Sequence, residues 1–284
     1  MNDTATLVSA SELRAMQARG SVLVVDCRFD LGDASAAERA HASAHLPGAV
    51  HAHLDRDLSD LSKKGLGRHP LPDDAAFSAV LARWGWTPRL DVVAYDAAGG
   101  ALAAARLWWM LRLAGHARVA VLDGGFSAWG DEGLPLESGA VLREATPAQV
   151  AFDPDAVVWY EELQRRREVG DLLLMDARAA PRFRGDIEPL DPVAGHVPGA
   201  VNRPFQDNLG TDGRFRPRER LRTDFMQLLG AHDPRDVVHM CGSGVTACHN
   251  LLAMEHAGLA GSRVFAPSWS GWVGDRTRPV AVGD

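Results

Sequence analysis

Short apolar runs recur along this chain, and each is followed by a longer stretch with helical spacing. Val22–Val25, Val92–Tyr95, Val119–Leu122, Leu172–Met175 and Val237–Met240 are apolar on both parities. A strand with one wet face alternates, whereas a strand covered on both faces does not. The alternation of such strands with helical segments predicts an α/β fold with mostly parallel sheets. Ser11 is placed to cap a first helix over Glu12 to Arg19, with Gly20 as its stop. Trp159 to Glu168, followed by Gly170, takes the same place further along.

The pattern occurs twice. Asp26-Cys27-Arg28 ends one strand and Asp176-Ala177-Arg178 ends its counterpart. His45-Leu46-Pro47-Gly48-Ala49-Val50 is echoed by His196-Val197-Pro198-Gly199-Ala200-Val201. Asp91–Tyr95 before Asp96 parallels Asp236–Met240 before Cys241, and the segment Asp123–Trp129 aligns with Ala266–Trp272. Matched landmarks in the same order predict two homologous domains, over 1–135 and 152–284. Residues 136–151, with Gly139 and Pro147 and no sustained periodicity, read as the linker.

Composition narrows the function. With 46% hydrophobic residues and 8 Trp, the 284-residue chain has enough apolar material for two cores. A formal net charge of -7 argues against a nucleic-acid or anionic-membrane surface. No apolar run approaches the roughly 20 residues that span a bilayer; Ala101 to Ala114 is broken by Arg106 and Arg112. Met1–Ala5 lacks the basic and apolar segments of a secretory signal. The 3 cysteines form no disulfide framework, and a reducing, cytoplasmic location is expected. Cys27 and Cys248 read as buried packing residues.

Cys241 is the exception. It opens Cys241-Gly242-Ser243-Gly244-Val245-Thr246-Ala247, between a strand and a helix-like stretch. The glycines let successive backbone N–H groups face one point, and the helix N-terminus adds positive potential there. Both favour an anionic, nucleophilic sulfur. The first half has Asp96 at the matching place, so only the second half owns a nucleophile and the first is expected to act as scaffold.

These residues resemble the rhodanese superfamily, over essentially the whole chain. The shared features are the Asp-x-Arg strand ends, the His-x-Pro-Gly-Ala turns, the cysteine loop and the tryptophan segment that closes each half. The tandem arrangement looks like the two-domain sulfurtransferases, and Cys-Gly-Ser-Gly-Val-Thr is similar to the loop of those that use 3-mercaptopyruvate. The thiosulfate-using members carry Arg and Lys where this chain has Gly242 and Ser243. The resemblance implies a five-stranded, mostly parallel sheet per domain, covered by helices on both faces, with the active site at the domain interface.

It also implies roles. Cys241 becomes a persulfide, cradled by the loop residues Gly242, Gly244, Val245 and Thr246. Ser243 polarises a carbonyl or relays a proton, and His45 matches a histidine placed beside that serine. The acidic member of the relay is left open between Asp33 and Glu38. Arg182 matches an arginine that binds the donor's carboxylate through its guanidinium fork. The family's second arginine is missing, since the chain reads Glu188-Pro189-Leu190-Asp191 there, and Arg184 or Arg203 is the expected substitute. Trp269 and Trp272 are expected to wall the cleft, while Asp176 and Arg178 read as a structural ion pair. No cofactor is required. The expected partners are a small-molecule sulfur donor and a thiol such as thioredoxin or glutathione.

Four other readings are weighed. A thiosulfate donor is a dianion, and Gly242-Ser243 brings no positive charge to meet it. A cysteine phosphatase closes its loop with an arginine where this chain has Ala247. A persulfide carrier without turnover keeps the same loop and differs only in speed. A metal centre has weaker support, because His51, His53 and His239 show no ligand spacing.

Overall fold

The computed structural model describes residues 5–284. They form two compact units. Unit 1 comprises the described residues up to Asp60, Leu71–Asp153 and Thr211–Phe215; unit 2 comprises Leu61–Pro70, Pro154–Gly210 and Arg216–Asp284. Each half of the sequence therefore lends a short segment to the other unit. Residues 136–151 run along unit 1, where the Thr146 amide donates to the Ala82 carbonyl (3.1 Å) and the Val150 amide to Ser78 Oγ (3.0 Å).

Unit 1 is built on five strands: β1 (Leu7–Val8), β2 (Val22–Asp26), β3 (Val50–His51), β4 (Asp91–Tyr95) and β5 (Val119–Leu122). Their order is β1-β5-β4-β2-β3 and every pairing is parallel. Unit 2 repeats this with β6 (Val157–Val158), β7 (Leu173–Asp176), β8 (Val201–Asn202), β9 (Val237–Met240) and β10 (Arg263–Phe265), in the order β6-β10-β9-β7-β8. The central strands are buried except at the first residues of β2 and β4, which is why they carry no polar face.

Register explains the repeated motifs. Asp26 pairs with Tyr95, and Asp176 pairs with Met240, so each Asp-x-Arg corner lies beside the end of the strand that leads into a loop. Arg28 Nη2 reaches Asp26 (2.6 Å) and then the Ala44 carbonyl (2.6 Å), the residue before His45. Arg178 Nη2 reaches Asp176 (2.7 Å) and the Gly195 carbonyl (2.8 Å), the residue before His196. Each buried ion pair thus ties a strand end to the next turn. Burial raises the Asp26 carboxyl, but hydrogen bonds from His41 and Arg28 outweigh it and hold it at about 2.

The closing tryptophans also repeat. Trp129 donates to the Pro135 carbonyl and Trp272 to the Pro279 carbonyl, both at 2.9 Å, and each ring is buried in its unit's core. The first helix starts earlier than expected. Ala10–Ala18 is capped by Ser9 rather than Ser11, because Ser9 and Glu12 close a reciprocal capping box. Among the described residues no helix is long and apolar enough to cross a membrane.

Candidate active site

Cys241 stands at the carboxyl end of β9, the middle strand of unit 2, before the helix Ala247–His256. Open α/β sheets place their sites at such strand ends. The Cys241 sulfur receives the amides of Ser243 (3.4 Å) and Gly244 (3.2 Å), and Gly244 reaches this geometry with φ +77°. Cys241 is 2% exposed. Its own amide donates to Ser268 Oγ (3.1 Å), and its carbonyl accepts from the Trp269 amide (2.9 Å). Ser268 holds φ +52°, the one left-handed non-glycine among the described residues. That unusual backbone lets a hydroxyl brace the loop from below. Thr246 caps the helix with its backbone, and Val245 is buried.

The other cysteines are packing residues. Cys248 donates to the Gly244 carbonyl (3.4 Å) one helical turn back. Cys27 is fully buried, and burial, helped by Asp96, Asp26 and Asp57, pushes its thiol well above the usual range.

Ser243 Oγ lies 2.8 Å from Nδ1 of His69, not of His45. His69 arrives on the segment 61–70, which belongs to unit 2. Three contacts fix that segment: Tyr160 Oη donates to the Gly65 carbonyl (2.5 Å), the Arg68 amide donates to Ser270 Oγ (2.9 Å), and Gly67 lies against Pro267. Gly67 has φ +88°, and a Cβ there would collide with the Pro267 carbonyl oxygen, so glycine is required.

The expectation for His45 is corrected accordingly. His45 is fully buried in unit 1, with Nδ1 on the His41 carbonyl oxygen (2.7 Å) and its backbone paired with Glu137. His196 does the same in unit 2, with Nδ1 on the Phe183 carbonyl oxygen (2.9 Å) and its backbone paired with Ala281. The repeated motif performs the same turn-fixing job twice. Asp33 and Glu38 pair at the surface with Arg39 and Arg56.

Arg182 does reach the cysteine loop. A Cβ on Gly242 would lie 3.5 Å from Arg182 Nη1, and 3.3 Å from Nη2 of a second arginine, Arg68. Neither expected substitute stands there. Arg184 is engaged by Asp186 (2.7 Å), and Arg203 lies over Phe225, bonded to the Asp207 carbonyl and Asn208. The acidic residues of the loop after Arg182 pair with the arginines. Glu188 receives Arg182 Nη2 at 2.6 Å; Asp191 receives Arg182 Nη2 at 3.1 Å and Arg68 Nη1 at 2.8 Å. Burial raises the Glu188 carboxyl, but Arg182 and two backbone amides outweigh it and bring it below the usual range. Trp269 is also corrected. Its ring is fully buried under Arg178, with Nε1 on the Val193 carbonyl, so it supports the site from the core.

Unit 1 builds a similar loop around Asp96. One carboxylate oxygen accepts the amides of Ala98 (2.8 Å) and Gly100 (2.9 Å), the other those of Leu102 (2.9 Å) and Ala104 (3.2 Å). A side-chain anion fills this cradle, whereas the unit 2 cradle holds a sulfur.

Comparison with known proteins agrees with this architecture. The rhodanese-like domain family matches residues 9–132 and 160–275. A Pseudomonas aeruginosa protein named "Probable 3-mercaptopyruvate sulfurtransferase" is 47% identical, over 99% of both chains. A Mycobacterium tuberculosis protein with the provisional name thiosulfate sulfurtransferase SseB is 39% identical, over 98% of this chain and 97% of its own. The crystal structure of Escherichia coli SseA, described as a 3-mercaptopyruvate sulfotransferase, superposes with a TM-score of 0.81 at 28% identity, covering 94% of this chain and all of that one. The chain belongs to the rhodanese family and is a tandem-domain sulfurtransferase of that family.

Proposed function

We propose that the protein moves sulfur from 3-mercaptopyruvate, through a persulfide on Cys241, to a thiol acceptor. The observation that carries the reading is the cluster at the end of β9, where a cysteine sulfur lies on loop amides and the next side chain, Ser243, meets an imidazole.

The Cys241 thiolate attacks the donor's sulfur. The new S–S bond forms as the donor's C–S bond breaks, and that electron pair leaves as the enolate of pyruvate. Ser243, backed by His69, passes the proton of the donor's thiol to the enolate, which becomes pyruvate and leaves the outer persulfide sulfur anionic. The loop amides at Ser243 and Gly244 hold the charge on the persulfide. An acceptor thiolate then attacks the outer sulfur, and Cys241 leaves as thiolate. Thioredoxin and glutathione are the classes of acceptor that suit this step, with cyanide as a laboratory substitute. A reducing, cytoplasmic setting suits a nucleophile that must stay a free thiol.

Thiosulfate is the second reading, supported by the name of the mycobacterial relative. It is less favoured, because a dianion calls for net positive charge over the loop. The test is kcat/KM for the two donors under one set of conditions. The expected result is a preference for 3-mercaptopyruvate by orders of magnitude. A preference for thiosulfate would replace the donor, and accumulation of persulfide without turnover would make the protein a carrier.

A further inference from the structure

We propose that Arg68, with Arg182, reads the carboxylate of the sulfur donor, and that Asp191 is the positioning residue that holds the two guanidiniums side by side. This rests on the reading above that the donor is a carboxylate.

Two arginines repel unless an anion lies between them. Asp191 supplies that anion: its side chain is 3% exposed and bridges Arg68 Nη1 (2.8 Å) and Arg182 Nη2 (3.1 Å). The Arg68 backbone is anchored on Ser270 Oγ (2.9 Å), and the next residue is His69, bonded to Ser243. The arginine that would meet the carboxylate and the imidazole that serves the proton step therefore share one short rigid segment.

Both guanidiniums face the loop. The place where a side chain on Gly242 would begin lies 3.3 Å from Arg68 Nη2 and 3.5 and 3.6 Å from Arg182 Nη1 and Nη2. Glycine leaves that place open to a ligand. Donors remain available there: Arg182 Nη1 takes no part in the pairs with Glu188 and Asp191, and Arg68 Nη2 holds only a long 3.5 Å contact to Asp191.

Charge sets the selectivity. Arg68 and Arg182 face Glu188 and Asp191, and Arg178, which also reaches Glu188 (3.5 Å), is balanced by Asp176 (2.7 Å), so three guanidiniums meet three carboxylates and the cluster is neutral overall. Such a site binds a monoanion through directed N–H bonds and gains little from a second negative charge. It favours a 2-oxo carboxylate over a compact dianion.

The experiment alkylates Cys241 in the full chain with iodoacetate and with iodoacetamide, following the Cys241 peptide by mass. The readout is the ratio of the two rates, which divides out changes in the thiol's own reactivity. Arg68→Met is expected to lower the iodoacetate-to-iodoacetamide ratio about tenfold. Arg68→Lys keeps the charge and gives up the fork, and is expected to lower it about threefold. A wild-type ratio in both variants overturns the proposal. If the ratio falls while the wild-type enzyme shows no turnover of 3-mercaptopyruvate, the carboxylate pair stands and only the donor is wrong.

Discussion

Ser243 and His69 are 174 positions apart in the chain, yet Ser243 Oγ lies 2.8 Å from His69 Nδ1. The contact exists because residues 61–70 fold with unit 2. It gives the imidazole beside Ser243 to His69 and leaves His45 a structural part in unit 1. His69→Gln is expected to lower kcat with 3-mercaptopyruvate about a hundredfold with little change in KM, the signature of a lost proton-transfer group. His45→Gln is expected to leave kcat near wild type and cost about 1–2 kcal/mol of stability through its bond to His41. Steady-state kinetics and denaturant melts on both variants check this; a kcat loss confined to His45→Gln would reverse the assignment.

Asp96 predicts a stability effect in the half without a nucleophile. Its fully buried carboxylate accepts four backbone amides of the loop. Asp96→Ala leaves those donors unmet and is expected to cost about 3 kcal/mol or more, with Asp96→Asn losing less because one oxygen remains. Equilibrium unfolding would decide the matter, and an unchanged Asp96→Ala protein would mean that the loop finds other acceptors.

These elements differ in how far they can be read from sequence. The strands, the repeat and the cysteine loop were legible because each leaves a local mark: an apolar run, a duplicated motif, a glycine pair after a strand. The same logic could have classified His45. His-x-Pro-Gly occurs twice, at His45 and His196, and a motif that serves both halves equally is a structural motif first. Arg68 and His69 leave no such mark. Gly67-Arg68-His69-Pro70 reads as an ordinary polar loop, and its role comes from long-range packing against Pro267 and Ser270. Arg203 failed as the substitute arginine because Phe225 and Asn208 draw it to another face of the unit. Trp269 failed as a cleft wall because its ring fills the core beneath Arg178.

Gly242 yields a third prediction. A side chain there would enter the space between Arg68 and Arg182. Gly242→Ala is expected to raise KM for 3-mercaptopyruvate about tenfold by crowding both guanidiniums, while unfolding free energy changes by less than about 1 kcal/mol. Initial-rate kinetics on the folded variant test it, and an unchanged KM would place the donor elsewhere.

His239 predicts a pH dependence. It is fully buried in β9, Nε2 lies 3.1 Å from Ser262 Oγ, and burial holds its imidazole at about 3, far below the ordinary 6.5. As pH falls below about 6.5, the unfolded chain binds a proton that the folded chain refuses. The stability that the neutral imidazole contributes is therefore present above pH 6.5 and lost progressively towards pH 3. His239→Gln should reduce the slope of stability against pH between 6.5 and 4.5, above the window in which Asp26 begins to be protonated, while His51, His116 and His256, also lowered by burial, keep the rest of it. Identical slopes for variant and wild type would show that His239 titrates normally.

The central claim is that sulfur passes through Cys241, and the most direct measurement is peptide mass spectrometry after treatment with 3-mercaptopyruvate in the absence of acceptor. The account predicts one added sulfur on the Cys241 peptide, one equivalent of pyruvate released, and loss of both in Cys241→Ser with the fold unchanged. Pyruvate release without sulfur on Cys241, or sulfur found instead on Cys27 or Cys248, would contradict it.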